Sequence, residues 1–121
     1  MLASHEIERY RTLLEQQLAD ALEALETAKA TDTGTVKLDQ TRVGRLSRMD
    51  ALQQQAMAQG LRERLLRNRR RLEAALDRVR GGKFGLCCRC GDELDLERLE
   101  ADPAVPFCAD CQDEIEEQRR G

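Results

Sequence analysis

Five cysteines, the residue type best suited to binding a soft metal ion, all lie between positions 87 and 111 of a 121-residue chain. Cys87 and Cys90 form one C-x-x-C pair, and Cys108 and Cys111 form a second pair after a gap of seventeen residues. Two intervening residues let one tight turn present two thiolates to the same ion, and zinc prefers a tetrahedron of such ligands. Gly91 supplies permissive backbone directly after the first pair. The spacing therefore predicts one Zn²⁺ bound by these four cysteines.

The fifth cysteine, Cys88, would pair with Cys90 at a spacing that is unusual for a structural site. We interpret Cys88 as a bystander, and the sequence assigns it no role. Four thiolates leave zinc no open coordination position, so the predicted site is structural rather than catalytic. His5 is the only histidine, and the chain has no glycine-rich phosphate loop. These observations predict a protein that is not an enzyme.

The residues before the cysteines show the seven-residue apolar repeat of helices that pack along one narrow seam. The turn formers TDTGT at 31–35 predict the end of a first helix. A second helix is predicted from near Asp39 to Arg80, where Gly81-Gly82 supplies the stop. The seam positions are Ile7, Leu14, Leu18, Ala21, Leu25 and Ala28 in the first helix and Leu61, Leu65, Leu72, Ala75, Leu76 and Val79 in the second.

Two helices joined by a short connection pack antiparallel. With a turn near residue 34, Ser4 would lie opposite about residue 64, which leaves residues 67–80 without a partner on the first helix. The C-terminal segment is then the only candidate to cover Leu72. The predicted fold is mainly α: an antiparallel helical hairpin, or coiled coil, over residues 1–80 with its tip near 31–50, and a small zinc-finger head with a C-terminal helix over residues 81–121.

Composition limits the classes of function that remain. Charged residues make up 36% of the chain and aromatic residues 2%, which suits long helices better than a thick core. The sequence has no apolar run long enough to cross a membrane, and its start lacks the features of a secretory signal, so we expect a cytoplasmic protein. The net charge of −3 is segregated into −3 over residues 1–30, +6 over 31–80 and −6 over 81–121. Such segregation indicates segments that face one another or face different partners.

The stretch GKFGLCCRCGDELDLERLEADPAVPFCADC, residues 82–111, resembles the zinc finger of the DksA/TraR family of bacterial transcription regulators. The shared features are Phe84-Gly85, Gly91, RLEADP at 98–103 and the two cysteine pairs. The resemblance implies a zinc head with a protruding coiled coil that binds RNA polymerase directly and enters its secondary channel. It also implies a protein that alters initiation without contacting promoter DNA, in many members together with the alarmone guanosine tetraphosphate. We expect a monomer.

Two features of the family pattern are changed in this sequence. Acidic-tipped members carry Asp-x-x-Asp-x-Ala at the tip of the coiled coil. Here Asp39 is followed by Arg42 in place of the second acid, and Arg45 lies before the next acid, Asp50. We predict that these four residues mark a tip with weakened negative charge.

The second change concerns the alarmone. Alarmone-binding members have a basic residue before the proline of RLEADP and another just after the last cysteine. Asp102 and Gln112 occupy these positions here, so we expect weakened alarmone binding.

The basic run at 62–80 offers an alternative function. Clustered arginines bind phosphates, so Arg67, Arg69, Arg70 and Arg71 are candidates for contact with a partner, either nucleic acid or polymerase. The acidic balance and the lack of stacking aromatics argue against direct DNA binding. Pairing of these arginines with the acidic stretches 92–97 and 113–117 is a simpler interpretation. A non-catalytic coiled-coil scaffold is the third alternative.

Overall fold

The computed structural model describes the backbone of residues 2–38 and 45–120 and the side chains of residues 2–29 and 50–120. The fold is mainly α, as predicted. Helix α1 spans Ser4–Leu38, α2 spans Arg45–Arg80, α3 spans Leu96–Ala101 and α4 spans Ala109–Arg120. Helices α1 and α2 form the predicted antiparallel hairpin, and the cysteines lie in the segment that follows it. None of the described helices is both long enough and apolar enough to cross a membrane.

The predicted end of the first helix at 31–35 is wrong, because α1 continues through this segment to Leu38. Threonine and a single glycine lower helix propensity by only about 0.5–1 kcal/mol each, so they weaken a long helix without ending it. The helix α2 begins at Arg45, and the predicted start near Asp39 lies outside the described residues. The predicted end of α2 at Arg80 is confirmed.

The later turn changes which residues face each other. With α1 ending at Leu38 and α2 beginning at Arg45, Ser4 lies opposite about residue 79 instead of about residue 64. The prediction that residues 67–80 lack a partner on the first helix is therefore wrong. Tyr10 and Leu14 of α1 are fully buried, and Leu72 of α2 is buried in the same compact part of the chain.

The chain forms two compact units, each built from both helices. The base unit comprises Met1–Gln17 and Arg71–Gly121, and the shaft unit comprises Leu18–Arg70. The base unit holds most of the buried apolar side chains that the structure describes. The predicted division into residues 1–80 and 81–121 stays a prediction. The buried residues of the base unit include Tyr10, Leu14, Leu72, Ala75, Leu76, Phe84, Leu94, Leu99, Ala104 and Val105.

The predicted seam positions are buried or half-buried at most sites, which confirms the helical period. Leu14, Ala21 and Leu72 are buried, while Leu65 is half-buried. Leu61 is the exception at 45% exposure. In the shaft unit Ala21 is the buried seam residue, whereas Leu18, Leu25 and Leu65 are half-buried.

Helix α2 ends in a glycine stop that leads directly into the cysteine segment. The N–H of Gly81 donates to the carbonyl of Asp77 at 2.9 Å, and the N–H of Lys83 donates to Arg78 at 2.9 Å. Gly82 has φ of 72°, the left-handed conformation that such a helix end requires. The predicted stop at Gly81-Gly82 is confirmed.

Candidate metal centre

The structure brings together the side chains of Cys87, Cys90, Cys108 and Cys111, whose four sulfur atoms all lie within 4.8 Å of one another. The sulfurs of Cys90 and Cys108 are 3.8 Å apart. A zinc–sulfur bond of about 2.3 Å places tetrahedral ligands about 3.8 Å apart, so the spacing matches a zinc tetrahedron. The donor set and its geometry fit one structural zinc ion.

Local backbone bonds shape the first cysteine pair into a tight turn. The N–H of Gly91 donates to the carbonyl of Cys87 at 3.0 Å, and the N–H of Cys87 donates to the carbonyl of Asp92 at 2.7 Å. Gly91 has φ of 79°, which a side chain would strain. The glycine that sequence analysis assigned to this turn therefore has the predicted conformation.

The second pair lies where α4 begins. Cys108 precedes the helix, and its carbonyl accepts a hydrogen bond from the N–H of Gln112 at 2.9 Å. Cys111 lies in the first turn of α4 and is buried. One turn of helix brings residues three apart onto the same side, so both sulfurs face the same ion. Cys108 and Cys111 thus lie at the start of the last helix.

Backbone amides give the metal-free thiols unequal acidity. Burial raises the pKa of Cys87, but hydrogen bonds from the backbone of Cys90, Cys108 and Arg89 outweigh it and lower this pKa to about 6. A hydrogen bond with Cys108 raises the pKa of Cys111, and burial adds to this effect. Zinc binds thiolates, so metal binding must displace the protons that remain on the cluster.

Cys88 lies beside the cluster but not in it. Its side chain is exposed, and its N–H donates to the carbonyl of Pro106 at 2.8 Å. The neighbouring Arg89 donates to the carbonyl of Cys111 at 3.4 Å and pairs with Glu114 at 2.9 Å. The backbone of the first pair and the side chain of Arg89 thus tie the two halves of the finger together independently of a metal.

A polar and aromatic cluster fixes the finger to the start of α1. The hydroxyl of Tyr10 donates to a carboxylate oxygen of Glu100 at 2.7 Å, and Arg9 pairs with the same carboxylate. The rings of Tyr10 and Phe84 have centroids 5.6 Å apart. The hydrogen bond from Arg9, with help from Tyr10, holds the pKa of Glu100 below its usual value. Sequence analysis missed Tyr10, although it follows Ile7 by three residues and so continues the seam.

The N-terminal residues also reach the finger through Gly85. This glycine has φ of 88°, and a Cβ built on it would lie 2.8 Å from the side chain of Leu2. Two independent features, the backbone conformation and the contact with Leu2, therefore exclude a side chain at this position. Sequence analysis quoted Gly85 as a matching residue without a physical reason, which this contact supplies.

Asp102 fixes the finger to α2. Its carboxylate pairs with Arg71 and accepts the N–H of Ala104 at 3.1 Å. Arg78 also donates to the carbonyl of Ala104, at 3.4 Å. These contacts join the C-terminal segment to the part of α2 that holds Leu72, and the cover of Leu72 itself by this segment stays a prediction. The side chain of Arg98 donates to the carbonyl of Phe107 at 3.0 Å, next to the second cysteine pair.

The structure describes only some of the remaining predicted site residues. Asp39 and Arg42 lie outside the described residues, the side chain of Arg45 is not described, and Asp50 is exposed on α2. Arg67 and Arg70 are exposed, and Arg69 is half-buried and has a polar partner. Only Arg71, through Asp102, is joined to the finger by a contact given above. Gln112 is half-buried and donates to Glu116 at 3.3 Å.

Fold and site together define a C4-type zinc finger attached to a helical hairpin. Residues 82–117 match the family profile described as prokaryotic dksA/traR C4-type zinc finger. The predicted resemblance to the DksA/TraR family is confirmed by this match and by the relatives described next.

The chain is similar to several bacterial proteins over part of its length. The RNA polymerase-binding transcription factor DksA of Haemophilus influenzae is 38% identical over 50 residues, which are 41% of this chain and 34% of that protein. DksA of Escherichia coli is 40% identical over 42 residues, 35% of this chain and 28% of that protein. An uncharacterized protein of Aquifex aeolicus is 39% identical over 49 residues, 40% of this chain and 34% of that protein. The matched segment thus spans about a third of the length of these relatives.

The likeness in fold extends over the whole chain. The structure of transcription factor DksA2 from Pseudomonas aeruginosa superposes with a TM-score of 0.81 over 98% of this chain and 88% of that one, at 19% sequence identity. This agreement confirms the predicted fold class. With the C4-type finger and the clustered sulfurs, it identifies a helical hairpin protein that carries one structural zinc.

Proposed function

We propose that this chain binds bacterial RNA polymerase directly and regulates transcription without catalysing a reaction. The observation that carries the proposal is the C4-type finger at 82–117, whose relatives include proteins named as RNA polymerase-binding transcription factors. The agreement of the hairpin fold with DksA2 supports it.

The zinc ion is proposed to act as a structural staple bound by Cys87, Cys90, Cys108 and Cys111. Four protein ligands leave no position for a substrate or an activated water, so the metal contributes folding energy instead of chemistry. The ion would fix the loop that carries α3, whose Glu100 contacts α1. With this loop fixed by the ion, the finger would hold the ends of both hairpin helices in place.

The hairpin is proposed to be the part that enters the secondary channel of the polymerase. Residues 39–50 would form its working tip, and the arginines among them would make that tip a weaker anion than two unpaired carboxylates. A weak tip would perturb a catalytic magnesium less, since the interaction depends on net local charge. The proposal therefore combines channel binding with a small effect on initiation.

The alarmone is not required in this proposal. The carboxylate of Asp102 forms an ion pair with Arg71, and a negatively charged carboxylate at this position does not attract a polyphosphate. Gln112 is uncharged, and its side chain donates a hydrogen bond to Glu116. The same ion pair supports the view that arginines of α2 pair within the chain, so direct DNA binding is not proposed.

A competition assay tests the channel. A labelled secondary-channel factor of known binding is held on purified core RNA polymerase, and this protein is added as an unlabelled monomer. We expect displacement by the wild type and equal displacement by Asp50→Asn, with little change in transcript yield at alarmone-sensitive promoters. Binding to polymerase without displacement would place the contact outside the channel. Strong inhibition of transcription abolished by Asp50→Asn would contradict the weak-tip proposal.

A further inference from the structure

The shaft unit contains an open apolar groove with a volume of about 500 Å³. Its walls come from both helices, and we call it the shaft groove. None of its lining residues is a cysteine of the metal centre, and the roles proposed for the zinc and the tip do not involve it. The residues that line it are Asp20, Glu23, Ala24, Thr27, Ala28, Ala58, Leu61 and Leu65.

Small side chains produce the groove. Ala24 and Ala28 on α1 lie beside Ala58 on α2, and methyl groups do not fill the space between two helices that leucines would close. Leu61, in the groove wall, is 45% exposed, and Met57, outside the groove and one turn earlier on the same face, is 73% exposed. An exposed apolar strip of this kind marks a surface that a partner covers.

The charge of the groove wall selects among partners. Asp20 and Glu23 line the wall on α1; Asp20 already has a polar or charged partner, and Glu23 is exposed. A partner helix that lays an apolar stripe between α1 and α2 would place its flanking residues against these carboxylates. Basic flanks are favoured there and acidic flanks are repelled. The shape suits one helix, because the groove follows a two-helix seam.

We infer that the shaft groove binds an amphipathic helix of RNA polymerase that carries basic residues along one edge of its apolar stripe. This inference rests on the proposed function and names the surface of this chain through which the polymerase is held. It does not involve the tip, so the groove contributes affinity whether or not the tip perturbs initiation.

Two variants with matched controls test the inference on the full chain with zinc bound. Ala24→Leu fills the groove, and Ala56→Leu adds the same side chain at an exposed position two residues from Ala58, on the far side of α2. The dissociation constant for purified core polymerase, measured by titration, should rise about tenfold for Ala24→Leu, or about 1.4 kcal/mol. It should stay unchanged for Ala56→Leu. The urea midpoint of Ala24→Leu should not fall, because the leucine fills empty space, so lost binding cannot reflect lost folding.

A second pair of variants tests the role of charge in the groove: Glu23→Lys reverses the charge of a lining residue, and Glu63→Lys is the control. Glu63 is exposed and lies two residues from both Leu61 and Leu65, about 160° away around α2. We expect Glu23→Lys to weaken binding several-fold at low salt and progressively less as salt rises, with no such effect for Glu63→Lys.

The outcomes separate the inference from the proposed function. If the wild type does not bind polymerase, both the proposed function and the groove inference are wrong. If it binds and Ala24→Leu and Glu23→Lys bind equally well, only the groove assignment is overturned. If sedimentation shows wild-type dimers that Ala24→Leu dissociates, the occupant is a second copy of this chain, and the polymerase helix is the wrong partner.

Discussion

Leu72 is the residue whose truncation most directly tests the packing of the base unit. It is 1% exposed on α2, in the same unit as the fully buried Tyr10 and Leu14. Leu72→Ala removes three carbon atoms, a loss of transfer free energy of about 2.4 kcal/mol at about 0.8 kcal/mol per group. The cavity that remains adds to this cost, since helices fixed by the finger cannot close fully around it. We expect a total loss of about 3–4 kcal/mol.

Urea unfolding of zinc-saturated protein, followed by helical circular dichroism, measures this loss. For a denaturant slope of about 1–3 kcal/mol/M, the midpoint should fall by roughly 1–4 M. Leu52→Ala is the matched control, because Leu52 lies on the same helix and is 64% exposed. That variant should change stability by less than about 0.5 kcal/mol. Equal midpoints for the two variants would refute the packing of α2 against α1 and the finger.

Three further predictions concern the finger and its attachment. Gly85→Ala should destabilise the protein by about 1–3 kcal/mol, because alanine would have to adopt a positive φ and its Cβ would clash with Leu2. Gly60→Ala, where no atom lies near the added Cβ, should stabilise α2 by about 0.5–1 kcal/mol. Similar unfolding midpoints for the two variants would contradict the geometry assigned to Gly85. Cys108→Ser should lose most of the bound zinc by elemental analysis, while Cys88→Ser should retain one ion per chain; a metal-free Cys88→Ser protein would overturn the ligand assignment. The pKa of Glu100 is lowered in the folded protein, so its contribution to stability is present above its unfolded pKa and is lost as pH falls through its folded pKa. Glu100→Gln should therefore reduce the dependence of the unfolding free energy on pH on the acid side. An unchanged pH dependence would show that this carboxylate does not stabilise the attachment of the finger to α1.

The metal site was predictable because its information is local. Cys87 and Cys90 lie within one turn, as do Cys108 and Cys111, and the backbone of such turns fixes where two sulfurs point. Gly91 and the Gly81-Gly82 stop were predictable for the same reason, because only glycine takes their conformations at low cost.

The helix connection and the base contacts were not predictable from local rules. Gly34 and its threonine neighbours carry a modest helix penalty, and a helix that packs on a partner overrides it. Because the turn was placed too early, each residue of α1 was paired with a residue about 15 positions too early on α2. The predicted pairing therefore concealed that α1 lies opposite the part of α2 that holds Leu72. The Asp102–Arg71 pair joins residues 31 apart in sequence, and spacing alone does not identify such partners. Tyr10 did carry a signal, its place on the seam.

Direct binding to RNA polymerase is the central claim, and a titration of core polymerase with this protein labelled at its exposed Cys88 tests it most directly. Zinc protects the other four thiols from the label. We expect saturable binding at one protein per polymerase, which is lost when zinc is removed and is unaffected by excess duplex DNA. Binding to DNA but not to polymerase, or no binding to either, would contradict it.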